Sequence, residues 1–326
     1  MDFLSADSLP WLHEAQRRLR EARAQARLPQ ALLILSVPGL GAARLAAWIG
    51  ALALCESAAA PCGACPSCML LRSDSHPDFH PVGLLEDAQQ VKVDQIRELI
   101  ETLSLSSYRG GYKVAVVDDA ETLNANGANA FLKTLEEPSG RTLLILIAMP
   151  SHRLPATVAS RCQKLSLRPP ATETARAWLQ EHGAKGENWD AALALAGGAP
   201  LAALEFPPDK VAALDREMRE TLQRLAENAA DVTLLAEGWM KSDPSLRLRW
   251  LENWITRRVR AELGSVDSLQ SAEPVRLSGA LLKPKIRRLY ELLDAARELR
   301  RLAATGLNQQ LALEAFLLGG RSALAK

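Results

Sequence analysis

The chain has 326 residues and a mass of 35.4 kDa, a length that fits two or three domains. Hydrophobic residues make up 48% and charged residues 24%, the balance of an ordinary globular protein. A formal net charge of +1 excludes a global attraction to nucleic acid or membrane, so any DNA contact needs a local patch or a partner.

Ala, Leu and Arg dominate, which favours helix. Residues 11–28 read as an amphipathic helix with an Arg-rich face that is most simply a solvated surface. Residues 31–35 form an apolar run of strand length, followed by Pro38-Gly39-Leu40-Gly41 and a helical stretch over 42–54. That order of strand, Gly-rich turn and helix opens a nucleotide-binding α/β unit. A cysteine-rich segment, 55–68, interrupts it. Strands are then expected at 79–82, 113–117, 143–147 and 163–167, and helices at 93–105 and 123–135. Apolar strands alternating with helices imply a mostly parallel sheet covered on both faces. Pro169-Pro170 marks a first boundary and Pro207-Pro208 a second. Short helical segments at 172–181, 188–196 and 200–205 lie between them, and longer ones at 211–225, 246–263, 281–303 and 307–318 follow. The expected architecture is α/β plus all-α: a parallel-sheet domain over 1–168 with an insert at 55–68, a small helical lid over 169–207, and a helical domain over 208–326.

The first ten residues carry two Asp and precede an Arg-rich stretch, unlike a secretory signal, and the apolar run at 45–55 is too short to span a bilayer. A cytoplasmic location without membrane contact is expected. Four of the five cysteines lie close together, which in such a compartment points to metal rather than disulfides. Cys55, Cys62, Cys65 and Cys68 form C-x6-C-x2-C-x2-C, whose tight knuckles aim sulfurs at one ion. Reduced thiols and a redox Cys-x-x-Cys pair are the competing readings, and His76 or His80 could replace one sulfur. Four thiolates fill a tetrahedral shell and leave no open position, so structural Zn2+ is the expected cofactor.

A working P-loop, G-x-x-x-x-G-K-[ST], cradles phosphate with backbone N–H groups, neutralises charge with Lys and ligates magnesium through its hydroxyl. The matching stretch is Ser36-Val37-Pro38-Gly39-Leu40-Gly41-Ala42-Ala43. Gly39 and Gly41 remain, but Ala42 stands at the Lys position and Ala43 at the Ser/Thr position. Losing the cation and the metal ligand removes most triphosphate affinity and nearly all catalysis, so productive ATP binding is not expected. The apolar run 114–117 ends in Asp118-Asp119, resembling a Walker B segment with Asp118 at the magnesium position. Asp119 replaces the catalytic Glu, one methylene short.

The run Ala-Asn-Ala-Phe-Leu-Lys-Thr-Leu-Glu-Glu-Pro within 124–140, together with Ser160-Arg161-Cys162, resembles the bacterial clamp-loader family of AAA+ proteins. The resemblance covers essentially the whole chain and is strongest over 31–167. It implies an AAA+ domain with an inserted zinc module, a lid, and a C-terminal domain that packs into a collar. Two branches of that family share the four-cysteine module. The degenerate P-loop and the run 307–318 point to the branch that does not hydrolyse ATP. The implied role is non-catalytic: a scaffold in a hetero-pentamer with gamma/tau and delta subunits that loads a sliding clamp onto primed DNA during replication. In that family the arginine of the Ser-Arg-Cys triplet reaches a neighbour's ATP site, so Arg161, framed by Ser160, is the expected arginine finger in trans. A surface salt bridge is the plainer reading of Arg161. Ala148, Met149 and Leu201 fall near positions where active members carry polar or Arg sensors of the nucleotide. An active or residual ATPase of the gamma/tau branch is the first alternative function, and an unrelated zinc-dependent nucleic-acid module the second. Trp250 and Trp254, with Arg257, Arg258 and Arg260, could suggest DNA stacking, but they fit a helical core stripe with a solvated arginine face. His13, His152 and His182 are isolated and take no role.

Overall fold

The computed structural model describes residues 3–85, 88, 90–150, 154–184, 188–262, 284–302 and 309–324. The chain forms two compact units, Met1–Trp178 with Ala199–Ala202, and Leu179–Gly198 with Ala203–Lys326. The stretch 169–207, expected as a separate lid, contributes residues to both.

The first unit opens with two 3-10 turns, Phe3–Ala6 and Pro10–Leu12, and helix α1 (His13–Ala24). Strand β1 (Ala31–Leu35) passes through the glycine turn into α2 (Ala42–Leu54), and α3 (Pro66–Arg72) lies in the cysteine segment. Then come β2 (Phe79–Val82), α4 (Val93–Ser104), β3 (Lys113–Val117), α5 (Ala125–Glu136), β4 (Thr142–Ala148), α6 (Ala156–Ala159) and β5 (Gln163–Ser166). The five strands are all parallel, in the order β2-β3-β4-β1-β5, with Leu33 opposite Leu146 and Ala115 opposite Leu144. β1, β3 and β4 are almost wholly buried, which is why they read as unbroken apolar runs instead of alternating ones. One face packs Leu33, Val117 and Leu146 against Ile96 and Leu99 of α4 and Phe131 and Leu135 of α5. On the α2 side a Cβ at Gly50 would stand 2.5 Å from the Phe79 ring, so this close approach needs glycine. The chain jumps from β1 to the far edge at β2 and returns past β1 to reach β5. The strand order therefore reverses beside β1, and ligands of such sheets bind at the carboxyl ends of the strands there. The glycine turn follows β1 and Asp118 follows β3, one strand apart.

Local capping sets the helix ends. Asn124 accepts from Gly127 N–H at 2.8 Å and so caps α5, which starts at Ala125 and not at the predicted 123. Helix α7 (Thr172–His182) begins in this unit, and Pro200–Ala203, α9, stops two residues short of the predicted 205.

The second unit contains α8 (Asp190–Leu195), α10 (Pro208–Ala226), α11 (Val232–Lys241), α12 (Pro244–Glu262), α13 (Pro284–Leu302) and α14 (Gln309–Leu324). Met218, Leu222, Trp239, Leu251, Leu293 and Leu317 form its core. Trp250 is 2% exposed and donates its indole N–H to Asp215 Oδ1 at 2.9 Å. Trp254 stacks on it at 6.3 Å and carries Arg258 over its outer face. The tryptophan stripe is thus core with an arginine rim, as its spacing implies. The side chain of Arg260, the helix ends expected at 263, 281–283, 303 and 307–308, and His152 lie outside the described residues.

His76 is buried where the chain enters β2. Its Nδ1 accepts from Asp78 N–H at 3.1 Å, so the neutral ring carries its proton on Nε2, which is buried without a partner among the described residues. Burial lowers the affinity of His76 and of His80 for a second proton below the usual 6.5. A folded value below the unfolded one means that stability is intact above 6.5 and is lost as pH falls beneath it. Thermal midpoints should therefore drop between about pH 6.5 and pH 5 in the wild type and drop less in His76→Gln. Equal losses in both would exclude His76 as a source.

Candidate functional site

The four predicted cysteines come together. Cys55 is the C-cap of α2, Cys65 the N-cap of α3, and Cys68 lies within α3. All four sulfurs lie within 4.8 Å of one another, with Cys55 Sγ to Cys65 Sγ at 3.8 Å and Cys62 Sγ to Cys68 Sγ at 4.0 Å. A tetrahedral thiolate site with metal–sulfur bonds of about 2.3 Å needs sulfurs about 3.8 Å apart, so this donor set fits a metal ion. Backbone N–H groups of Ser57 and Cys62 point at Cys55 Sγ, both at 3.4 Å, and that of Cys65 points at Cys62 Sγ at 3.3 Å. Such donors favour thiolate. The N–H of Ala64 and that of Cys65 bring the Cys62 thiol down to about 6, while burial pushes Cys55 and Cys68 up. Neither His76 nor His80 belongs to the cluster.

The module is anchored by charged side chains that sequence patterning passes over. Arg23 of α1 donates to the carbonyls of Cys55 and Ser57 at 2.7 and 3.1 Å, so the Arg-rich face is not solvated along its whole length. Glu56 accepts from Ser67 and from Arg109, both at 2.8 Å. Arg109 is itself held by Asp78, whose carboxylate accepts from Ser107 Oγ and from the N–H groups of Tyr108 and Arg109.

At the glycine turn, Gly39 and Gly41 adopt φ of +86° and +84°, the left-handed region that glycine tolerates. The turn is covered by its own unit. Leu201 N–H donates to the Gly39 carbonyl at 3.1 Å, and Trp11 donates its indole N–H to the Leu40 carbonyl at 2.9 Å. A Cβ at Gly39 would stand 2.3 Å from Ala202 Cβ, and one at Gly41 would stand 2.6 Å from Leu9 Cδ1. Leu9, Leu12 and Leu40 are fully buried here, and Leu201 lies beside Gly41. Ala42 is half-buried and Ala43 exposed at the start of α2, with Arg44 exposed beyond them.

The acidic end of β3 is similarly inward-looking. Asp118 Oδ1 accepts from Asp119 N–H at 2.9 Å, and burial holds its carboxyl above the ordinary range. Asp119 turns away at φ +50° into a 3-10 turn, Ala120–Thr122. Ala148 is buried with its carbonyl accepting from Ser36 N–H at 3.0 Å, and Met149 is exposed. Apolar packing, and not only the two missing side chains, thus stands against a phosphate at this loop. Ala42→Lys combined with Ala43→Thr is expected to leave ATP binding undetectable by calorimetry up to about 1 mM, a free energy of about 4 kcal/mol. Micromolar binding by that variant would show that the packed turn opens readily.

Arg161 lies elsewhere on the sheet. β5 runs parallel to β1, with Gln163 opposite Leu32 and Ser166 opposite Leu35. Arg161 precedes the first residue of β5, whereas the glycine turn follows the last residue of β1. The two sit at opposite ends of the strands, separated by at least about 10 Å of sheet. Arg161 Nε donates to Glu136 Oε1 at 2.7 Å, Nη2 donates to the same oxygen, and Nη1 donates to the Thr157 carbonyl at 2.7 Å. Ser160 Oγ donates to that carbonyl at 3.1 Å, and Cys162 is buried with its thiol on the Val158 carbonyl.

A five-stranded parallel sheet in this order, with a glycine turn after β1 and acidic residues after β3, defines an AAA+ domain of the P-loop type, here with its glycine turn covered. Family models described as DNA polymerase III, delta subunit, and as its C-terminal part match residues 11–171 and 215–321. The Escherichia coli K12 protein named DNA polymerase III subunit delta-prime is 32% identical over 319 residues, 95% of this chain and 94% of that one. The Pseudomonas aeruginosa protein of the same name is 32% identical over 262 residues, 79% of each chain. A Salmonella typhimurium subunit tau is 30% identical over 156 residues, 47% of this chain but 24% of its own. The chain belongs to the DNA polymerase III delta-prime family. Its likeness to tau stops at about half of the chain, and the gamma/tau alternative is not favoured.

Proposed function

We propose that this chain is a non-catalytic subunit of a clamp loader, a scaffold that supplies Arg161 to a neighbouring subunit's ATP site while its own glycine turn stays closed to nucleotide. The observation that carries this reading is the placement of Arg161. An arginine at the amino-terminal end of β5 cannot serve a phosphate at the carboxyl end of β1, so any triphosphate that it touches belongs to another chain. The division of labour into an AAA+ domain over 1–168, a lid over 169–207 and a collar over 208–326 is part of the proposal. So are structural zinc at Cys55, Cys62, Cys65 and Cys68, gamma/tau and delta partners, action on the sliding clamp and primed DNA through the assembly, and a cytoplasmic location. No helix among the described residues is long and apolar enough to cross a membrane, in keeping with that location.

The test is the DNA-dependent ATPase of a reconstituted clamp loader containing the wild-type chain or Arg161→Ala. The variant is expected to assemble normally and to stimulate hydrolysis clearly less. A wild-type chain that neither assembles nor stimulates would overturn the clamp-loader reading and leave the fold and the cysteine site standing.

A further inference from the structure

We propose that Glu136 is the positioning residue of Arg161, holding the guanidinium so that only its terminal edge is presented outward; the inference rests on the reading of Arg161 as a finger acting in trans. A guanidinium has five N–H donors in one plane. Three are engaged within the chain: Nε and one Nη2 hydrogen by Glu136 Oε1, and one Nη1 hydrogen by the Thr157 carbonyl. One hydrogen on each Nη remains. With the side edge of Nε and Nη2 taken by Glu136, the terminal edge of Nη1 and Nη2 is the one that can face two oxygens of one phosphoryl group.

The frame behind this fork is rigid. Glu136 is the last residue of α5, a helix seated in the core by Phe131 and Leu135 and capped at its other end by Asn124. The Thr157 carbonyl belongs to α6, and Cys162, buried next to Arg161, fixes the backbone on the far side. The side chain is 34% exposed, enough for its end to be reached but with its length supported. An unsupported arginine would have to surrender its rotamer freedom when a phosphate arrives. This one has surrendered it beforehand, and positioning of that kind acts on turnover more than on ground-state affinity. Glu136 lies on the side edge, so it neutralises the cation without standing between it and the approaching anion.

The experiment uses the complete reconstituted clamp loader with five forms of this chain: wild type, Glu136→Ala, Glu136→Asp, Arg161→Ala, and the Glu136→Ala/Arg161→Ala double variant. The kcat and KM of DNA-stimulated ATP hydrolysis are measured for each. Glu136→Ala is expected to lower kcat by about 10-fold with KM for ATP changed by less than about twofold. Glu136→Asp should recover part of the loss, and Glu136→Ala should add nothing once Arg161 is gone. An equal loss with and without Arg161 would make Glu136 merely structural and overturn the proposal. So would an unchanged or raised kcat in Glu136→Ala, which would mean that the pair parks the arginine instead of aiming it. If Arg161→Ala itself has no effect, the finger reading fails and this inference falls with it.

Discussion

On the proposal that the four-cysteine module holds structural zinc, chelating the metal, or replacing Cys68 by Ser, is expected to destabilise the first unit by about 5 kcal/mol or more, a fraction of what structural zinc contributes to isolated zinc fingers. In a chain of this size that corresponds to a fall in Tm of about 10–20 °C. Cys68 is 0% exposed, so serine would bury a hydroxyl that cannot replace a thiolate bond. Without a cation the module must also keep buried Cys55 and Cys68 protonated beside a Cys62 that favours thiolate. The damage should spread, because Arg23 and Arg109 are fastened to carbonyls and a carboxylate of this segment, and Leu4 sits beside Gly63. Elemental analysis should find zinc bound to the purified wild type and lost from Cys68→Ser, and thermal unfolding with and without a strong chelator gives the energetic side. An unchanged Tm in a demonstrably metal-free chain would show that the knuckles fold on hydrogen bonds alone.

Arg161→Ala carries the largest functional effect. On the proposed reading, turnover at the neighbouring subunit's ATP site is expected to fall by about 100-fold or more, since arginine fingers in GTPases contribute about 10³ to 10⁵ in kcat. Arg161→Lys should remain poor, because a compact ammonium keeps the charge but not the planar fork. The same substitutions should leave folding nearly untouched. The ion pair that they break is partly exposed, and such pairs contribute about 0–1 kcal/mol. A large kinetic effect with a Tm within about 3 °C of wild type is therefore the signature expected. A large fall in Tm would instead assign Arg161 a structural part, and single-turnover hydrolysis resolves the affected site from its neighbours in the assembly.

What could be read from the sequence was whatever is local or periodic. β1 and β3 occupy the residues that their apolar runs indicate, because burial on both faces of a parallel sheet leaves an unbroken hydrophobic signature. The cysteine spacing likewise indicated that the four sulfurs come together. The 3-10 turns at Phe3–Ala6 and Pro10–Leu12 had no such signal: they are too short for a period, and α1 accordingly starts at His13 instead of 11. Their importance is long-range, since Trp11 meets the Leu40 carbonyl and Leu9 meets Gly41. The sequence marks Leu201 only as lying near a sensor position, and its N–H bond to the Gly39 carbonyl is set by the tertiary fold. Glu136 stood in plain view inside the Leu-Glu-Glu-Pro run, and only the fold shows that it faces Arg161.

The two glycines of the phosphate-type turn invite an evolutionary reading. A turn relieved of holding phosphate would be expected to decay, its glycines replaced at random once their ligand had gone. Here Gly39 is pressed against Ala202, Gly41 against Leu9, and both hold left-handed backbone. Packing and backbone conformation by themselves require glycine at both positions. A side chain at either position would meet these atoms whether or not a nucleotide binds, so the glycine pattern alone does not report ATP binding.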